Sequence, residues 1–150
     1  MRRIALEALK DMRRHNVRYA ELRTTPRPLP DGASRREYIE NVLRVFREFE
    51  TDQASLPCEV SDGACIPCHG EDTNKGLPRL IPRLLLSVDR GKNVQEAMVV
   101  AELAVQLRTE EEWRPYVVGV DFSGNPTKGS FEEFRSGCKN AWAVHSNEVV

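Results

Sequence analysis

The sequence predicts an α/β fold with parallel strands. Apolar runs of strand length alternate with amphipathic helical stretches in the order helix, strand, helix, strand, helix, strand, helix, strand. Alternation of this kind implies crossover helices between parallel neighbours. Three of the runs end in polar segments, Arg23 to Arg27, Asp89 to Gly91 and Asp121 to Asn125. Ligands of parallel α/β folds sit at that carboxyl edge of the sheet, so three such ends suggest one shared site. The composition (150 residues, 40% hydrophobic, 30% charged) fits a single globular domain over 1–150.

Ile4, Ala5, Ala8, Leu9 and Met12 recur at the spacing of one helix face, which fades near His15 and Asn16. "VRYAEL" (Val17 to Leu22) then reads as a strand, with Pro26 closing the extended segment. Ser34 precedes a second amphipathic helix carrying Tyr38, Ile39, Val42, Leu43, Val45, Phe46 and Phe49, and Glu37 completes a capping-box spacing. "PRLLLSVDRG" (Pro82 to Gly91) is the next strand and exit, followed by a helix with Val94, Ala97, Met98, Ala101, Ala104 and Val105 along one face. "YVVGV" (Tyr116 to Val120) is a buried strand that meets Asp121 and a glycine turn. A short helix from Ser130 to about Gly137 and a last strand in "AWAVHSNE" (Ala141 to Glu148) complete the pattern.

Several functions are disfavoured. A net charge of −1 lacks the basic excess of a general nucleic-acid binder. No apolar stretch approaches the roughly 20 residues that span a bilayer, and the first residues do not form a signal peptide. Four cysteines in a chain of this size fit a reducing, cytoplasmic setting. The segment 51–76 has no sustained period and carries three of those cysteines, so a disordered surface insertion is expected there. Within it "CIPCH" (Cys65 to His69) matches the attachment signature of a c-type haem, and Cys58, Cys65, Cys68 and His69 could instead hold zinc as a non-enzymatic metal module. Cysteines in a loop without a metal are the simpler expectation.

Two further patterns carry chemistry. "TTPR" (Thr24, Thr25, Pro26, Arg27) is either a plain strand exit or an anion site that collects hydroxyls and a guanidinium at the sheet edge. His145 and Glu148 form H-x-x-E, in which an imidazole can ligate zinc and a carboxylate can pass protons; in isolation the spacing equally describes a surface histidine.

In chain order, "YAELRTTPR", "SVDRG", "GVDFSGNPTKG" and "HSNE" resemble successive stretches of the adenosine and AMP deaminase family, and most of all its N6-methyl-AMP deaminase branch. The resemblance implies a (β/α)8 TIM barrel, of which this chain is about half, and zinc-dependent hydrolytic removal of the purine 6-substituent. It implies His145 as a zinc ligand and Glu148 as the proton-shuttling catalytic acid. It places Thr24, Thr25, Pro26, Arg27, Gly91 and Gly124 against the substrate, a purine nucleoside monophosphate, with adenosine as the alternative. The full-length protein is then expected to be a monomer. The family's H-x-H zinc pair does not occur here, so the resemblance implies an incomplete, central stretch of a deaminase, inactive when isolated.

Overall fold

The computed structural model describes residues 2–30, 32–53 and 79–135. Its elements are α1 (Arg2–Arg14), β1 (Tyr19–Thr24), α2 (Arg35–Asp52), β2 (Ile81–Asp89), α3 (Val94–Thr109) and β3 (Val117–Ser123). The strands form one sheet in the order β1-β2-β3, and β2 and β3 run parallel from Leu84↔Val117 to Asp89↔Ser123, with a register shift between Leu84 and Leu85. The expected parallel α/β class therefore stands. The expected strand in "AWAVHSNE" and the cysteine-bearing segment, apart from its first residues, lie outside the described residues. Among the described residues no helix is long and apolar enough to cross a membrane.

The chain falls into two compact units, 1–20 with 41–82 and 21–40 with 83–150. In the first, Leu9, Leu43, Phe46, Phe49 and Leu80 are almost wholly buried. Ile4, placed by its spacing on the inward face of α1, is instead 66% exposed. Helix α1 ends where Asn16 takes a left-handed conformation (φ 61°), with Asn16 N–H donating to Arg13 O and Val17 N–H to Met12 O, both at 3.0 Å. That pairing is a Schellman stop, and asparagine tolerates the left-handed position better than most residues. Because the stop uses Val17, β1 begins at Tyr19 rather than Val17 and runs to Thr24.

Helix α2 likewise continues past the expected start of the insertion at Thr51, whose hydroxyl turns back to Arg47 O (2.9 Å). One residue beyond it, Gln53 is buried and replaces a strand neighbour: its Nε2 donates to Leu80 O (2.8 Å), and its Oε1 accepts from Leu80 N–H (2.6 Å). A side-chain amide mimics a peptide in this way, and it satisfies both backbone groups of the residue that leads into β2.

In the second unit, the alternating burial of β2 puts Leu84, Leu86 and Val88 in the core. Helix α3 buries Ala97, Val100, Ala101, Leu103, Ala104 and Leu107, and Arg108 on its last turn donates to Val117 O on β3 (3.0 Å). The small side chains on this face allow helix and sheet to approach closely. Strand β3 does not stop before Asp121 as its apolar run suggests; it continues through Phe122 to Ser123.

Candidate functional site at the carboxyl edge of the sheet

Local sequence chemistry fixes the elements around the sheet edge. Ser34 and Glu37 form the expected capping box at the start of α2: Ser34 N–H donates to Glu37 Oε2 (2.7 Å), and Glu37 N–H donates to Ser34 Oγ (3.2 Å). Asn93 caps α3, its Oδ1 accepting from Glu96 N–H at 2.9 Å. In the first turn of α2, Arg36 donates to both carboxylate oxygens of Glu110 (2.6 and 2.8 Å) and to Glu40 (2.7 Å). The bond to Glu110 raises the Arg36 pKa further above its ordinary value, against the opposing effect of burial. The start of α2 is thus tied to Glu110, the residue that caps the end of α3.

These elements enclose a cleft of about 1030 Å³. It gathers the ends of all three strands: Thr24 at the end of β1 with Thr25, Pro26 and Arg27 after it, Ser87 and Asp89 of β2, and Ser123 of β3. Lys92, Asn93 and Glu96 line it from the entry to α3, and Arg35 and Tyr38 from α2. The gathering of "TTPR" with the ends of β2 and β3 is the juxtaposition that the three polar strand ends predicted.

Charge is distributed unevenly over these walls. Arg35 is paired with Glu96, and Arg23 lies 3.5 Å from Asp121. Among the described residues Arg27 and Lys92, both exposed, have no ion-pair partner. Arg27 and Lys92 therefore line the cleft without ion-pair partners, alongside the Asp89 carboxylate; with Arg35 balancing Glu96, the lining keeps a positive excess that favours an anion. Thr24 Oγ1 and the hydroxyl of buried Tyr38 are 2.7 Å apart, which fixes the threonine rotamer on the cleft wall. Asp121 answers for its place in a buried strand: it accepts from Ser87 Oγ at 2.9 Å, which also satisfies the hydroxyl of a buried serine.

The other proposed substrate contacts stand beside the cleft rather than in its lining. Gly91 N–H donates to Asp89 Oδ1 (2.8 Å). Gly124 has φ +100°, and a Cβ there would fall 2.5 Å from the same Asp89 oxygen. Both glycines are thus backbone held against Asp89, a cleft residue. The turn after Gly124 closes on itself, with Asn125 Oδ1 accepting from the backbone and hydroxyl of Thr127 (3.0 and 2.9 Å). Sequence reasoning did not single out Tyr38, Lys92 or Asn93. The last two directly follow "VDRG" and were legible as part of a strand exit; Tyr38 reads as ordinary helix core, and only the fold reveals where its hydroxyl points.

His145 and Glu148, and the cysteines and His69 of the haem or zinc alternatives, lie outside the described residues. Among the described residues no three His, Cys, Asp or Glu side chains gather as a metal site. The residues described here do not by themselves suit a catalytic zinc, which needs about three protein ligands.

No family model matches the chain. It is 35% identical over 133 residues to an N6-mAMP deaminase of Arabidopsis thaliana, covering 88% of this chain and 35% of that protein. It is 29% identical over 127 residues to an adenosine deaminase-like protein of Drosophila melanogaster (85% of this chain, 30% of that one). The crystal structure of Arabidopsis ADAL complexed with IMP superimposes with a TM-score of 0.63 at 33% identity, over 95% of this chain and 36% of that one. The same protein complexed with GMP gives a TM-score of 0.63. A zinc-bound amidohydrolase of Burkholderia ambifaria, 21% identical with a TM-score of 0.61, shares the fold. The chain spans about a third of the length of the curated relatives it matches. Over that stretch, in sequence and in fold, it belongs to the adenosine and AMP deaminase family.

Proposed function

We propose that this chain forms the nucleotide-binding wall of a hydrolytic purine nucleotide deaminase of the N6-methyl-AMP type, built on a (β/α)8 barrel of which these strands are a part. One observation carries the reading. The cleft at the strand ends presents the unpaired Arg27 and Lys92, in a fold shared with proteins solved in complex with IMP and GMP. A nucleoside monophosphate brings a dianionic group to such a wall, and a guanidinium binds it through two parallel N–H bonds. Thr24 and Thr25 add hydroxyls beside it, and the backbone of Gly124, free of a Cβ, takes the edge of the purine.

By the family resemblance, His145 would be one of the residues that hold zinc, whose contribution would be an activated water, and Glu148 would carry the proton at the purine C6. Among the described residues no metal cluster exists, so the contribution of this chain's described residues is binding and orientation. Holding the substrate in place is itself a catalytic contribution, because it removes translational and rotational freedom before the chemistry begins.

Calorimetric titration of the 150-residue chain with IMP and with inosine tests the reading. IMP should bind about tenfold more tightly, and Arg27→Ala should erase most of that difference. Equal affinities for nucleotide and nucleoside, unaltered by Arg27→Ala, would contradict it.

A further inference from the structure

The turn that follows β3 is held from outside itself by a side chain that neither the cleft nor the family resemblance assigns. Arg90, between Asp89 and Gly91, donates from Nε to Lys128 O (2.8 Å) and from Nη2 to Gly129 O (2.9 Å). Its guanidinium carbon lies 4.9 Å from the centre of the Phe122 ring. Its backbone N–H donates to Ser123 O at 2.9 Å, so the residue grips both ends of the turn 124–129. Phe122 is itself braced by Phe134 at 5.0 Å and Phe131 at 5.8 Å. The two glycines that bound the turn leave no slack: a Cβ at Gly124 would fall 3.3 Å from Arg90 N, and one at Gly129 would fall 2.7 Å from Arg90 O.

From this geometry we infer that Arg90 is a positioning residue for purine binding, setting the height of the Gly124 backbone at the sheet edge through the far end of the turn. The inference rests on the nucleotide reading above. Arginine suits the task and lysine does not. The planar fork reaches two successive carbonyls while its face lies on an aromatic ring, whereas an ammonium offers a point charge without a stacking face. Arg90 therefore acts on the base end of the ligand, in contrast to Arg27 at the phosphate end.

The test uses the 150-residue chain as wild type, Arg90→Lys and Phe122→Leu, the last keeping the guanidinium bonds but removing the ring beneath them. Amide exchange is followed at Thr127 and Lys128, whose N–H groups close the turn, alongside affinities for IMP and inosine. Arg90→Lys should speed exchange at those two amides about tenfold and weaken IMP and inosine by a similar factor, leaving their ratio unchanged. Phe122→Leu should move all three readouts in the same direction by less. An Arg90→Lys chain with unchanged turn exchange, or with a loosened turn and wild-type IMP affinity, overturns this inference alone. Failure of the wild-type chain to bind IMP overturns the nucleotide reading and this inference with it.

Discussion

Gly124 is the residue at which conformation and function are hardest to separate. Its φ of +100° lies where a side chain is strained, and an added Cβ would sit 2.5 Å from Asp89 Oδ1. That oxygen already accepts the Gly91 N–H, so it is not free to move aside without losing a bond. Gly124→Ala should therefore cost about 1–3 kcal/mol from backbone strain, plus whatever the displaced carboxylate adds. Chemical denaturation checks this: the midpoint should fall with the slope unchanged. A midpoint equal to wild type would mean that the turn relaxes freely and that glycine is not required there. The glycine was legible in the sequence as a turn signal. Its reason was not, because the atom that forbids a Cβ belongs to a strand exit 35 positions earlier in the chain.

At the scale of elements, the structure follows local sequence chemistry closely wherever caps decide the outcome. The Ser34–Glu37 box starts α2 where its spacing predicts. The boundaries that sequence reading misplaced have tertiary causes. The Schellman stop at Asn16 delays β1, and the bond from Ser87 lets β3 carry Asp121 within the strand instead of ending before it. Gln53 is the sharpest case, a polar residue just beyond α2 in a stretch that reads as irregular, yet buried as the partner of both Leu80 backbone groups. Gln53→Ala leaves a buried donor and a buried acceptor without these bonds and should destabilise the chain by about 2 kcal/mol. Urea unfolding measures it; a loss within 0.5 kcal/mol, the usual range for surface changes, would show that water replaces the clasp.

For the whole molecule, the sequence revealed the class of site more fully than its membership. Three polar strand ends announced a shared edge, and the structure brings "TTPR", Asp89 and Ser123 to one cleft. Lys92, directly after "VDRG", was legible as part of a strand exit, whereas Tyr38 joined the cleft only through folding, since a helix face gives no hint of what it will line. On the nucleotide reading, this cleft receives a purine nucleoside monophosphate, with phosphate toward Arg27 and base toward Gly124. Titration of the isotopically labelled 150-residue chain with IMP, followed through its amide resonances, maps where the nucleotide sits. The largest shifts are expected at Thr24, Thr25, Arg27, Lys92 and Gly124, with those of the first four reduced when inosine replaces IMP. Saturable shifts confined to residues away from the cleft, or no shifts at millimolar IMP, would contradict the nucleotide reading.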